Sequence, residues 1–312
     1  MEIPVYLVSG FLESGKTSFI KEILKDQNFS EGERTLLIIC EEGVEEFEEG
    51  FLKEFNCDVV FVEEEEDFTV DFLKECYEKY KPQRALLECN GMWEMETFYK
   101  TISRPWAIAQ IITTIDSKTF DVYMNNMKQL FVSHALSSNL IIVNRCDENS
   151  DVMTFRRVIK GINRRSEIFF ENTEGLIMEL GEENLPFDIN ADIIEIDDED
   201  YGLWYIDVMD HPEKYHGKTV KVKGMYYKPE NYPEGSYVHG REAMTCCEDD
   251  ISLIGVLCIS SNKTKLKERE WIYLTGKIEC RHNEQLGESM AIIIEDKIEK
   301  AEEPKDKLVT FS

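Results

Sequence analysis

The feature that most constrains this chain is a glycine-rich loop between an apolar run and an amphipathic run. Residues 10–17 read GFLESGKT, a match to the pattern G-x-x-x-x-G-K-[ST]. They directly follow VYLVS and lead into TSFIKEILK, so a strand, a loop and a helix come in the order that a phosphate-binding loop requires. The alternation of β-rich and helical runs over the first half predicts an α/β fold, a P-loop NTPase domain with a mostly parallel sheet.

Each position of this loop has an expected role in binding a nucleotide. Glycines let backbone N–H groups turn toward phosphate oxygens, and the following helix N-terminus adds partial positive charge. Lys16 is expected to reach the β- and γ-phosphates and to act in catalysis, and the Thr17 hydroxyl is expected to coordinate Mg²⁺. The other loop residues predicted to bind the nucleotide are Gly10, Glu13, Ser14 and Gly15.

A second motif indicates which base the site takes. Asn144, Arg145 and Asp147 follow an apolar run as N-R-C-D and resemble the N-K-x-D guanine signature. In that signature the aspartate pairs with the guanine N1–H and the exocyclic amine. Arginine stands here in place of lysine; its aliphatic stem can still cover the base, although the two cations are not interchangeable at a packed site. The alternative interpretation is a strand that ends in a polar turn.

A third strand end supplies acidic groups. Glu88 closes the apolar run LLE and is followed by Gly91, so we predict that Glu88 holds Mg²⁺ through water and that the Gly91 N–H contacts the γ-phosphate. Glu41 lies where a switch loop is expected. Either Glu41 or Glu88 could order the attacking water, and both stay candidates for a catalytic role.

The order of these motifs resembles the CobW-type GTPases, relatives of the UreG and HypB nickel-insertion GTPases. The loop is similar to that family's GFLGAGKT, with Glu13 and Ser14 at the middle positions; IICEEG at 38–43 is similar to IVNEFG, ECNG at 88–91 to ETSG, and TID at 114–116 to VVD. The resemblance covers about residues 1–180. It implies GTP and GDP as ligands, Mg²⁺-dependent GTP hydrolysis, and a role in metal homeostasis or metallochaperone delivery.

One departure from that family concerns its C-x-C-C metal motif, which lies between the second and third strands. The corresponding stretch here keeps only Cys57, beside the acidic run 63–67. A lone thiol cannot form a closed tetrahedral metal site. The usual metal-transfer site is therefore predicted to be lost or moved elsewhere in the chain, and the acidic run is interpreted as a solvated loop.

The composition and the hydrophobic pattern of the sequence change near residue 200. Residues 181–200 are rich in acid and lack a helical period, which predicts an acidic linker between a GTPase domain at 1–180 and a second domain at 201–312. About five strand-like runs in the second domain predict a small all-β, OB-like barrel. HPEKYHGKT at 211–219 and REAMTCC at 241–247 resemble the C-terminal domain of YcgQ-type proteins, which occur beside predicted permeases.

The vicinal thiols Cys246 and Cys247 are the candidate ligands of a soft metal ion such as Zn²⁺. His239, Asp249 and Cys258 are candidates to complete that site. The alternative is that one thiol packs in the core and the other is incidental. A metalloprotein client or a metal transporter would be the partner of such a protein.

Charge excludes other partners. The chain has 63 acidic and 35 basic side chains, a net charge of −28, so nucleic acid and anionic membrane surfaces are disfavoured. No run approaches the roughly 18 apolar residues of a membrane-spanning helix, which predicts no membrane insertion. Nine cysteines, an odd number, suggest reduced thiols and a cytoplasmic protein.

Three other functions are alternatives to a GTPase with a metal-related role. They are a GTP-binding regulatory or scaffold protein with vestigial hydrolysis, an ATP-dependent kinase-like enzyme and, last, an OB-fold nucleic-acid binder.

Overall fold

The structure is a computed structural model, and its residues form two compact units, 1–180 and 181–312. It describes residues 2–26, 29, 32–41, 43, 47–178, 185–230, 232–244, 251–260, 266–284, 287–309 and 311. No helix among these residues is both long enough and apolar enough to span a membrane.

The described part of the first unit is built on a seven-stranded sheet in which every pairing is parallel. In spatial order the strands are β3 (Cys57–Phe61), β2 (Thr35–Ile39), β4 (Arg84–Glu88), β1 (Ile3–Ser9), β5 (Trp106–Asp116), β6 (Leu140–Cys146) and β7 (Glu167–Asn172). The predicted P-loop NTPase fold is confirmed. Because β1 lies between β4 and β5, the loop after β1 opens at the centre of the sheet edge where ligands of such folds bind.

Helices cover both faces of this sheet. They are α1 (Lys16–Lys25), α2 (Glu49–Glu54), α3 (Val70–Tyr80), α4 (Met95–Thr101), α5 (Phe120–Asn126), α6 (Lys128–Ser137) and α7 (Val152–Ile162). Successive β2 residues point to opposite faces: Leu36 packs in the same cluster as residues of α3 and α4, whereas Leu37 packs with residues of α1 and α2. Burial on both faces explains why the central strands are continuous apolar runs.

Strand β3 is not among the predicted strands. Its sequence, CDVVF, carries a charge, and four of its five residues are exposed or half-buried because it lies at the edge of the sheet. Cys57 is thus the first residue of an edge strand.

The described part of the second unit contains a six-stranded sheet. In chain order its strands are β8 (Ile194–Ile196), β9 (Thr219–Tyr227), β10 (Ser236–Ala243), β11 (Ser252–Ile259), β12 (Trp271–Asn283) and β13 (Glu288–Lys300). Since β9 pairs with both β12 and β10, five strands close into a barrel in the order β9-β10-β11-β13-β12. The β11–β13 pair is parallel and the other barrel pairs are antiparallel. This connectivity confirms the predicted small β-barrel and matches an OB-like barrel.

The acidic segment 181–200 is not simply a linker, and this part of the prediction is wrong. Within it, β8 pairs in parallel with β9, and Phe187 and Ile194 are buried in the core of the second unit. The segment then leads into α8 (Tyr201–Asp210), whose Trp204 is fully buried in the same core. Acidic residues alternate with these apolar positions, which obscured the short strand.

Candidate nucleotide-binding site

The glycine-rich loop is shaped by backbone conformations that most residues avoid. Gly15 has φ 100°, and a Cβ atom there would lie 2.7 Å from Asn144 Nδ2. Gly15 is also the N-cap of α1. A glycine N-cap has no side chain to occupy the N–H groups of the first helical turn, so those groups are available to an anion.

A cavity of about 340 Å³ opens above this helix end. It is lined by Leu12, Glu13, Gly15, Lys16, Thr17, Ser18, Glu41, Gly43, Glu88 and Arg145. Seven of the positions predicted from sequence, from the loop and from three later strand ends, therefore meet at one cavity: Glu13, Gly15, Lys16, Thr17, Glu41, Glu88 and Arg145. The carboxyl ends of the parallel strands bring them to the same edge of the sheet.

Lys16 is buried, and its ammonium group is held by three acceptors. Nζ donates to the carbonyl oxygens of Gly10 and Phe11, each at 3.0 Å, and to Glu41 Oε2 at 2.5 Å. The other oxygen of Glu41 accepts from the Gly91 N–H at 3.4 Å. Lys16 and the Gly91 N–H thus meet at the carboxylate of Glu41, which lines the cavity.

Thr17 and Glu88 form a second polar pair. The Thr17 hydroxyl donates to Glu88 Oε1 at 2.7 Å, and the Glu88 side chain is buried at the end of β4. A hydroxyl and a carboxylate at this separation fit neighbouring positions around Mg²⁺, which takes oxygen ligands at about 2.0–2.1 Å in octahedral geometry. The residues present therefore fit the predicted Mg²⁺ ion.

The predicted guanine motif is tied to the phosphate loop by side-chain contacts. Asn144 Nδ2 donates to Ser14 O at 2.8 Å, and Arg145 donates to Glu13 O at 2.8 Å. Arg145 has φ 55° and also forms an ion pair with Asp116 at the end of β5. This pair holds the guanidinium group, and Arg145 also lines the cavity.

The remaining predicted binding residues do not line the cavity with their side chains. The Ser14 hydroxyl turns inward to Thr114 Oγ1 at 2.8 Å, so Ser14 can offer only its backbone. Asp147 lies beyond Arg145, where its Oδ1 accepts from Asn149 N at 2.9 Å. The second carboxylate oxygen of Asp147 can still accept from a base.

Two parts of the chain match known protein families. Residues 4–170 match the family model described as "CobW/HypB/UreG, nucleotide-binding domain", more than half of the chain. The chain belongs to the CobW/HypB/UreG family. Residues 179–310 match the model described as "DUF1980 C-terminal domain", over the part of the chain that resembles YcgQ-type proteins. A comparison with curated proteins gives no match.

Several solved structures are similar to this chain at low sequence identity. The Zn(II)-bound YjiA GTPase from E. coli is 17% identical over 73% of each chain, with a TM-score of 0.42, and a Zn(II)-bound triple mutant of YjiA has a TM-score of 0.43 at the same identity and coverage. The hydrogenase maturation factor HypB from Archaeoglobus fulgidus is 13% identical, with a TM-score of 0.40, over 55% of this chain and 82% of that chain.

The CobW/HypB/UreG unit of this chain has no evident metal-transfer site among its described residues. Cys57 is buried in β3, and burial raises the pKa of its thiol to about 12. Across the described residues of the whole chain, no group of three or more His, Cys, Asp or Glu side chains is arranged to hold a metal ion. Glu65–Asp67, within the predicted solvated acidic run, forms an exposed 3₁₀ turn.

The second candidate metal site is only partly described. Cys246, Cys247 and Asp249 lie outside the described residues. The proposed completing ligands His239 and Cys258 are both fully buried in the barrel. Burial lowers the pKa of His239 to about 4 and raises the pKa of the Cys258 thiol. Neither side chain is exposed to an incoming ion in the described barrel.

One residue of the site was overlooked by sequence reasoning. His134, in α6, has no sequence spacing that marks it as a site residue. It is buried, and its ring lies within hydrogen-bonding distance of Ser9 Oγ and of the Gly91 carbonyl oxygen. Only the fold brings these three positions together, because they are far apart in sequence.

Proposed function

We propose that this chain is a Mg²⁺-dependent GTPase that hydrolyses GTP to GDP and phosphate, and that hydrolysis controls a metal-related task. The observation that carries the proposal is the cavity at the end of α1, where Lys16 and Glu41 meet and Thr17 contacts Glu88. The adjoining N-R-C-D segment, with Asn144 bonded to the phosphate loop, supports guanine as the base.

In this proposal each residue has a role that its contacts allow. The loop backbone binds the phosphates, and Lys16 stabilises the charge that develops on the γ-phosphoryl group. Thr17 and Glu88 would hold Mg²⁺, which when bound neutralises the phosphate oxygens. The water attacks the γ-phosphorus and the bond to the β-phosphate oxygen breaks. Glu41, which bridges Lys16 and the Gly91 N–H, is better placed than Glu88 to orient that water.

The metal-related part of the proposal rests on the family and on Cys246 and Cys247. The proposed cargo is a soft ion of the Zn²⁺ type, bound by vicinal thiolates in the second unit, with a metalloprotein or a metal transporter as recipient. A cytoplasmic location belongs to the same proposal, since Cys40, Cys57, Cys76, Cys89, Cys146, Cys258 and Cys280 are free thiols. The carboxylate oxygens of the run 63–67 are hard ligands, so this run is a poor substitute site for a soft ion.

The decisive experiment compares GTP turnover by the wild type, Lys16→Ala and Asp147→Ala, each with and without Zn²⁺. We expect Lys16→Ala to abolish turnover, and Asp147→Ala to weaken GTP binding without strengthening ATP binding. Equal turnover by the wild type and Lys16→Ala would leave a GTP-binding scaffold as the better explanation. Elemental analysis of the wild type and of Cys246→Ser/Cys247→Ser, loaded with GDP or a GTP analogue, tests the cargo; metal content at background in all four samples would refute the metal-related part.

A further inference from the structure

The imidazole of His134 connects the two segments that surround the proposed γ-phosphate position. Its Nε2 atom lies 3.1 Å from the Gly91 carbonyl oxygen, and its Nδ1 atom lies 3.0 Å from Ser9 Oγ. Ser9 is the last residue of β1, directly before the phosphate loop, and Gly91 lies in the turn after β4. The ring is 2% exposed, so both hydrogen bonds are shielded from water.

The direction of each hydrogen bond follows from the groups involved. A carbonyl oxygen can only accept, so Nε2 carries the proton and donates to Gly91. Burial lowers the pKa of His134 to about 4, so the ring is neutral near pH 7 and Nδ1 accepts from the Ser9 hydroxyl. Ser9 Oγ in turn lies 2.8 Å from Thr113 Oγ1 and can accept from it. A single tautomer is thereby selected.

Gly91 is held from its other side by the phosphate loop itself. A Cβ atom at Gly91 would lie 2.6 Å from Gly10 O and 2.7 Å from Phe11 Cα, so the two backbones are in direct contact. Fixing the Gly91 carbonyl against His134 while its Cα rests on the loop leaves its backbone little freedom. The Gly91 N–H then points to the cavity side, where it reaches Glu41 Oε1 at 3.4 Å.

The ring of His134 is in turn held by its neighbours. The Phe11 ring meets it edge-on, with centroids 5.8 Å apart. Ser138 donates back to the His134 carbonyl oxygen at 2.7 Å at the end of α6, and Ser138 Oγ also contacts Thr113 Oγ1. Phe11 and Ser9 therefore contact the imidazole itself, whereas Ser138 holds only the backbone at the end of α6.

We propose that His134 is a positioning residue that holds the Gly91 backbone on its carbonyl side, so that the Gly91 N–H is ready for the γ-phosphate and the site discriminates GTP from GDP. The inference rests on the proposed function, because it assumes that the Gly91 N–H contacts a γ-phosphate. Without the imidazole, the backbone on both sides of the Gly91 Cα gains other orientations, and only a ligand with a γ-phosphate must reverse them. GDP, which lacks that group, binds as before.

The test measures the affinities of the full chain for fluorescent GDP and for a fluorescent non-hydrolysable GTP analogue. In His134→Leu we expect analogue affinity to fall about tenfold, as for the loss of one buried hydrogen bond, while GDP affinity stays within about twofold. His134→Gln, whose amide N–H can donate to the Gly91 carbonyl, is expected to restore most of the loss. Ser138→Ala is the matched control: it is buried in the same network and is expected to leave the ratio of the two affinities unchanged.

A purely structural role gives a different result. Equal losses for GDP and the analogue in His134→Leu, or an unchanged ratio in a folded variant, would overturn the proposal. Should His134→Leu fail to fold, nitrogen NMR of the wild-type imidazole decides: we expect a neutral ring protonated at Nε2 whose Nε2 signal shifts between the GDP and analogue complexes, and an unshifted signal refutes the role. A wild type that binds no guanine nucleotide would instead refute the proposed function itself.

Discussion

Glu13 occupies the most strained position of the phosphate loop. It has φ 61°, a left-handed conformation, where the similar family segment GFLGAGKT has glycine. The conformation is locked, because Glu13 O accepts from Arg145 at 2.8 Å and so joins the loop to the guanine motif. The Glu13 side chain is exposed and lines the cavity, so it also places a negative charge beside the proposed phosphates.

The expected effect of Glu13→Gly on stability can be worked out from this geometry. A left-handed backbone costs a non-glycine residue about 1–2 kcal/mol. Glycine removes this cost, but it also lowers the free energy of unfolding by about 0.5–1 kcal/mol, because glycine has more conformational freedom in the unfolded chain. The net increase in the free energy of unfolding is therefore about 0–1.5 kcal/mol, which raises the Tm of a domain of this size by up to about 6 °C.

Thermal and urea unfolding of Glu13→Gly, Glu13→Ala and the wild type measure this effect. Glu13→Ala removes the charge but keeps the strain, so we expect it to leave Tm unchanged, while both variants bind the anionic nucleotide a few-fold more tightly at low salt. A Glu13→Ala protein stabilised as much as Glu13→Gly would show that charge, and not backbone strain, sets the stability. A destabilised Glu13→Gly would refute the strain argument altogether.

Three further predictions follow from contacts at the site and in the barrel. Asn144→Ala removes the 2.8 Å bond to Ser14 O, and we expect GTP and GDP affinities to fall together by about fivefold in a nucleotide titration. Thr17→Val removes a proposed Mg²⁺ ligand, so GTP affinity in excess EDTA should equal that in Mg²⁺. Burial lowers the pKa of His134 and His239 from 6.5 to about 4. Between pH 6.5 and pH 4 these histidines are therefore protonated in the unfolded chain but neutral in the native protein. Stability should therefore fall as pH drops from 6.5 to 4, by up to about 3 kcal/mol per histidine in urea titrations.

Each of these predictions has a control within the chain. An Asn144→Ala protein that loses GTP but not GDP affinity would contradict a role in shaping the loop for both nucleotides. Thr17→Ser keeps the hydroxyl, so its GTP affinity should still depend on Mg²⁺. A Thr17→Ser protein whose GTP affinity no longer depends on Mg²⁺ would implicate the methyl group instead of the hydroxyl. His239→Leu should flatten the pH dependence of the second unit, whereas His282→Leu, at an exposed position, should not; equal slopes in both would contradict the burial argument.

Local patterns in the sequence account for much of the architecture. The loop GFLESGKT carries its own strand, turn and helix signals, and runs such as 35–40 and 85–88 are apolar because both faces of a central parallel strand are buried. The barrel strands were also predicted, since turn-rich segments separate them. What local patterns could not supply was β3, at a sheet edge, and β8, inside an acidic segment, because a short strand is stabilised chiefly by its neighbours.

The sequence by itself therefore determined which chemistry this chain can carry: Lys16 and Thr17 are fixed in place by their motif, and Glu88 by the end of its strand. Only the tertiary structure decided how those groups are held. Contacts such as His134 with Gly91, or Arg145 with Asp116, join positions on different strands and helices, and no spacing rule reports them. The physical reason is that a motif consists of residues close together in the sequence. Hydrogen bonds and burial instead depend on which strand ends the folded sheet brings together.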